Sequence, residues 1–192
     1  MAIMPHPERT LGNEADDLFK SMRNYMESDD PFSFKSLNFS SKKINIKKFK
    51  KPAKQNEILV STIIADNEAA SVEKCINSLG VKAKVKKYLH FEIDAIERLD
   101  INTIISTDVL FNPSKEYITN IKEGSDIYRF LVRSKDDIVG QSLAQTLQDR
   151  FNLSGLKSIK KGVVWEVKIN SSGAKKDVDL ILNSHIFSNP IS

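Results

Sequence analysis

Two stretches of this chain carry nearly the same alternation of apolar and polar positions. Ile127–Glu166 opens on an apolar run, turns at Asp136-Asp137, continues with helical period and closes on a second strand-like run. Ile58–Glu92 repeats the pattern. Leu59-Val60 aligns with Phe130-Leu131, Asp66 with Asp137, Ser71 with Ser142 and Ile76 with Leu147. Val85-Lys86-Lys87 then aligns with Ile159-Lys160-Lys161, and Glu92 with Glu166, after a shift in the helix–strand loop, where insertions are best tolerated. Each copy ends on a similar box, Leu110-Phe111-Asn112-Pro113 and Phe187-Ser188-Asn189-Pro190. Two copies of about 65 residues are too few and too long for a solenoid, so the pattern predicts a duplicated small domain.

The elements follow from the periodicities. Glu57–Ile64 is rich in β-branched residues and predicts a strand. Glu68–Leu79 predicts a helix with Val72, Cys75, Ile76 and Leu79 on one face, stopped by Gly80. Lys82–Ala95 predicts a long strand whose imperfect alternation at Val85, Tyr88 and Phe91 calls for a bulge or burial on both faces. Asp100–Val109 predicts a second helix opened by Asp100, and Lys115–Ile118 a short last strand. The second copy predicts strand Ile127–Arg133, helix Ile138–Phe151, strand Leu156–Ile169 and helix Lys175–Asn183. Side by side, two β-α-β-α units give an α+β fold with an antiparallel-rich sheet and helices on one face. The domain boundaries read 1–28, a Lys/Ser-rich linker over 29–54, then repeats at 55–120 and 125–192.

Ahead of the repeats, Leu18, Met22, Tyr25 and Met26 share one face of a predicted helix. Met1–Pro5 reads as the end of a buried strand running into a Pro-His-Pro turn. Such an end at residue 1 suggests a piece of something longer.

Composition narrows the function classes. The 192 residues suit one or two domains, and each repeat alone would have a thin core. The single cysteine, Cys75, excludes an internal disulfide framework; on its helix it reads as a buried, inert thiol. No apolar run is long enough for a membrane span, and a signal-peptide layout is absent, so a cytoplasmic location is the expectation. The net charge is +4, but Ser41–Lys54 alone holds seven lysines, and taking seven from +4 leaves −3 for the remainder. The basicity is local. It marks a solvated linker or edge strand, or an anion contact, rather than a nucleic-acid face over a folded domain.

The candidate chemistry is sparse. His90 and His185 have no paired Cys or carboxylate at ligand spacing, so no metal site is expected. Trp165 is the only tryptophan and reads either as a core residue or as an interface anchor. His6 and Glu8 lie two residues apart on a Pro-His-Pro-Glu turn, which by itself reads as a structural turn.

The motifs resemble those of one enzyme system. The repeat resembles the small PurS-type subunit of phosphoribosylformylglycinamidine synthase, whose Asp-Pro-Gln-Gly turn is matched at Asp137 and Gly140. That family's Val-Arg-x-Gly-Lys-Tyr-x-Glu strand is matched in spacing by Ile159–Glu166, including Gly162 and Glu166, with Val163 in the lysine's place. Asn112-Pro113 and Asn189-Pro190 match its Asn-Pro box, while in the first copy Ala69 replaces the turn glycine. Met4-Pro5-His6-Pro7-Glu8-Arg9 resembles the end of the glutamine amidotransferase (PurQ-type) subunit of the same synthase.

The resemblance implies tandem PurS-like repeats forming a pseudo-dimer behind the tip of an amidotransferase. It also implies a non-catalytic bridge in purine biosynthesis, joining the amidotransferase to a PurL-type synthetase and aiding ammonia transfer. His6 and Glu8 would be catalytic only with an upstream cysteine. Such a chain binds no cofactor itself, whereas the whole complex uses ATP, Mg and glutamine. Contact surfaces are expected at Lys160, Lys161, Gly162 and Trp165 and at the Asn-Pro boxes. The alternative is a stand-alone two-repeat module binding a small regulatory ligand at the Asp137–Gly140 turn, or RNA through Ser41–Lys54. A remnant without activity is a third reading.

Overall fold

The computed structural model describes residues 13–27, 46–50, 55–96, 99–121, 124, 126–169 and 173–188. The chain divides into two compact units, residues 1–40 and 41–192. In the smaller unit, helix α1 spans Asn13–Glu27 and exposes Phe19, Met22, Tyr25 and Met26.

In the larger unit the order is β1 (Asn56–Thr62), α2 (Asn67–Ser78), β2 (Ala83–Ala95), α3 (Ile101–Ile105), β3 (Glu116–Thr119), β4 (Ile127–Val132), α4 (Ile138–Phe151), β5 (Leu156–Ile169) and α5 (Ala174–Asn183). The five strands form one sheet in the order β3-β1-β2-β5-β4, every neighbour antiparallel. The fold is α+β. No helix among the described residues is long and apolar enough to cross a membrane.

Local chemistry sets the boundaries. Asp66, Asp100 and Asp137 stand at the N-caps of α2, α3 and α4, each carboxylate accepting a backbone N–H of the first turn. Gly80 ends the α2 region at φ 88°, and Asn152 closes α4 at φ 54°. Helix α3 stops at Ile105, short of the expected Val109. The Ser106 and Thr107 hydroxyls donate back to the Thr103 and Ile104 carbonyls, at 2.9 and 2.7 Å, and compete with helix continuation. Strand β1 likewise ends at Thr62, whose hydroxyl donates to the Ile64 carbonyl at 2.8 Å and turns the chain.

Strand β2 lacks strict alternation because both of its faces are buried. Val85, Phe91 and Ile93 point to the helices, while Tyr88, His90 and Glu92 are buried on the opposite face, and the register shifts at Asp94/Ala95. On the helix side there are two core clusters. One joins Ile58, Val60, Phe91 and Ile93 to Ile104 of α3 and Leu147 of α4. The other joins Val85, Val167 and Ile169 to Ile76 of α2 and Ile181 of α5. Each core therefore draws on both halves of the sequence, so neither half buries its apolar face alone.

Two expectations are corrected. Cys75 is exposed, because the inward stripe of α2 is Ala69, Val72 and Ile76, and position 75 falls outside it. The strand alignment also moves by one residue. Leu59 pairs with His90 and Leu131 with Val164, so once Glu92 and Glu166 are matched, Leu59 corresponds to Leu131 rather than Phe130. The β4–α4 turn is one residue shorter than the β1–α2 turn. Across the sheet centre Leu89 pairs with Val163, Glu92 with Lys160 and Lys86 with Glu166. Positions matched by the repeat thus exchange places about the Leu89–Val163 pair.

Candidate functional site

Asp137 ties together the elements around a cleft of the second half. Its Oδ1 accepts from the Gly140 N–H at 2.8 Å and its Oδ2 from the Lys161 N–H at 2.6 Å, fixing the start of α4 against the middle of β5. A Cβ on Gly140 would lie 2.4 Å from Asp137 Oδ2 and 2.5 Å from the Ile159 carbonyl oxygen, so this approach requires glycine. Gly162 is comparably crowded, with Leu131 Cδ1 2.9 Å and the Val132 carbonyl 3.1 Å from a would-be Cβ. Between these residues and the end of α5 opens a cleft of about 690 Å³, lined by Lys135, Val139, Lys161, Gly162, Val163 and Phe187 among others. Its floor is apolar. The Lys135 and Lys161 ammonium groups at its rim have no ion pair among the described residues.

The matching turn of the first half borders a smaller cleft, of about 330 Å³, lined by Asp66, Ala69 and Lys87 among others. Ala69 stands where Gly140 does, and Asp66 Oδ1 accepts from the Ala69 N–H at 3.0 Å. The other Asp66 oxygen lies 3.7 Å from the Lys87 ammonium, which also pairs with Glu68. Lys87 is satisfied, whereas its counterpart Lys161 has no ion pair among the described residues.

The structure thus gathers Asp137, Gly140, Lys161 and Gly162 beside Phe187 and Ser188, which precede the second Asn-Pro box. Trp165, Lys160, Asn112 and Pro113 do not line this cleft. Trp165 is 9 % exposed and packs in the core, its ring 5.4 Å from that of Phe187, which in turn stacks on Phe130. Lys160 turns to the opposite sheet face, 3.3 Å from Glu92. Asn112 and Pro113 lie exposed on the turn into β3, where Asn112 Oδ1 accepts from the Ser114 N–H. His6, Glu8, Asn189 and Pro190 lie outside the described residues.

Sequence reading missed the polar lattice on the sheet face away from the helices. Glu92, 3 % exposed, takes Arg133 Nη2 at 2.7 Å and Lys160 Nζ at 3.3 Å. His90, fully buried, meets Glu57 Oε1 through Nε2 at 2.6 Å, and its Nδ1 has no partner. Phe49 covers it edge-on at 5.7 Å and itself lies under the Arg133 guanidinium at 5.4 Å. Further along the face, Glu166 accepts from Arg129 Nε at 2.9 Å and from the Tyr88 hydroxyl at 3.4 Å. The only advance signal was the polar set at alternate positions 88, 90 and 92. Among the described residues, no group of three or more His, Cys, Asp or Glu forms a metal cluster.

Burial pushes the His90 imidazole below its ordinary 6.5, against the pull of Glu57. Burial works to raise Glu92, but Arg133 and then Lys160 outweigh it and hold the carboxyl below 4.5. Both groups therefore bind protons more weakly folded than unfolded, so each costs stability as pH falls from its unfolded value toward its folded one. The thermal midpoint should drop first as pH passes below about 6.5, and again below about 4.5. His90→Gln should remove the first drop and leave the second. A wild-type midpoint that stays flat from about pH 7.5 to 5.5 would contradict the His90 assignment.

No protein-family model matches the chain, and no curated protein matches it either.

Proposed function

We propose that this chain is the bridging part of a phosphoribosylformylglycinamidine synthase, two PurS-like halves acting as a pseudo-dimer in one chain. It does no bond chemistry. It joins a PurQ-type amidotransferase to a PurL-type synthetase and helps ammonia pass between them in the cytoplasm. ATP, Mg and glutamine are handled by those partners. His6 and Glu8 serve as base and orienter only beside the amidotransferase's cysteine.

What supports this reading most is the exchange of repeat-matched positions about the Leu89–Val163 pair, with Glu92 opposite Lys160 and Lys86 opposite Glu166. A symmetric dimer joined into one chain has this relation. The N-cap aspartates Asp66 and Asp137, each placed beside a lysine pair of the following strand, add to it.

The docking surface is the cleft at Lys161. Its apolar floor and unpaired Lys135 and Lys161 suit an acidic, apolar segment of the synthetase. Reconstitution tests the proposal. With all components present, glutamine-dependent amination should require this chain, and Lys135→Glu with Lys161→Glu should lower it about tenfold. Amination with free ammonia should be unaffected.

A further inference from the structure

The sheet face away from the helices carries a second cleft, of about 380 Å³, at the Glu166 end. Its lining includes Ser61, Lys86, Tyr88, Tyr117, Thr119 and Glu166. We propose that this cleft binds a small planar anion, its ring against Tyr117 and its anionic group on the Lys86 ammonium. The proposal is independent of the bridging function.

The charge pattern carries the argument. At the Glu92 end of this face, Lys160 lies 3.3 Å from Glu92. The corresponding pair at the other end is Lys86 opposite Glu166. There Glu166 is already satisfied, by Arg129 on one oxygen and Tyr88 on the other. Lys86 is therefore left without an ion pair among the described residues, in a cleft whose acid is spoken for. The Lys86 ammonium is thus the cationic group that the cleft offers to an anionic ligand.

The aromatic part has an internal precedent. At the Glu92 end an aromatic ring already lies on the face, Phe49, held edge-on against His90 beneath Arg133. At the Glu166 end no such ring contact is found among the described residues. Tyr117 instead presents its ring 48 % exposed at the cleft, while Tyr88 is 8 % exposed. The Ser61 and Thr119 hydroxyls add donors and acceptors on the same strands. Burial, followed by the charge of Glu166, pushes the Tyr88 hydroxyl up to about 12, so it stays protonated against that carboxylate. A cleft above about 300 Å³ with a few convergent polar groups and a perturbed titratable group is the usual form of a small-molecule site.

The test titrates the full chain by calorimetry and amide NMR with uridine monophosphate, 4-hydroxybenzoate and inorganic phosphate. The first two distinguish a nucleotide from an aromatic carboxylate as the source of the ring and charge. At least one should bind with Kd below about 1 mM, and inorganic phosphate should bind about tenfold more weakly. Amides near residues 86–88 and 117–119 should shift. Lys86→Ala and Tyr117→Ala, both at exposed side chains, should each weaken binding about tenfold, with Lys47→Ala unchanged. Absence of binding by both ringed anions would overturn the proposal. So would shifts confined elsewhere, equal binding of phosphate alone, or affinity indifferent to Lys86. None of these outcomes bears on the reconstituted amination.

Discussion

Glu92→Ala should destabilise the larger unit by about 3 kcal/mol. The carboxylate is 3 % exposed and accepts from Arg133 and Lys160. Lys160 is half exposed and recovers hydration when its partner goes, so it contributes little to the loss. Arg133 is only 26 % exposed and its Nε already lacks a partner. Removing Glu92 leaves that guanidinium against Phe49 without its anion, and a half-broken buried pair is costlier than none. Urea unfolding of Glu92→Ala and of Glu92→Ala with Arg133→Met checks this. The second change should recover part of the loss. A single-variant loss under about 1 kcal/mol, or no recovery, would show that the lattice contributes little.

Gly140→Ala should cost about 2–3 kcal/mol, a large effect for one methyl group. The new Cβ meets Asp137 Oδ2 and the Ile159 carbonyl well inside contact distance, and the second of these is backbone. Either α4 retreats from β5 or Asp137 gives up the Lys161 N–H. The former opens the core around Ala144 and Leu147; the latter forfeits the hydrogen bond that ties Asp137 to β5, about 1 kcal/mol. The first half supplies the control. Ala69 already occupies the matched position, so Ala69→Gly should cost only about 1 kcal/mol, the ordinary helix penalty of glycine. Comparable urea midpoints for both variants would refute the close approach as the reason for the glycine.

How much of this was legible in the sequence varied with the range of the interactions involved. The bounds of α4 and β5 agree with those read from the pattern, because the turn at Asp136-Asp137 and the change of period after it are local signals. The two-sided burial of β2 showed only as a failure of alternation at Tyr88. Its cause, Glu92 meeting Arg133 and Lys160 across strands, depends on residues far apart in the chain. Cys75 was misplaced by one helical position, which is enough to move a side chain from core to solvent. In the candidate site, Asp137, Gly140, Lys161 and Gly162 were found because the motif places them in order. Phe187 as part of the same cleft was not foreseen, since only the packing of α5's end against Phe130 and Trp165 puts it there. Lys86 as a cation without an ion pair among the described residues was invisible too. It becomes visible only once Arg129 is seen to occupy Glu166.

The bridging claim is tested most directly by one measurement: amination of formylglycinamide ribonucleotide by synthetase and amidotransferase, with and without this chain, on glutamine and on free ammonia. The account predicts that the chain raises the glutamine rate strongly and leaves the ammonia rate unchanged. It also predicts that the charge reversals at Lys135 and Lys161 abolish most of the gain. Equal glutamine rates with and without the chain, with neither enzyme retained by it, would contradict the account.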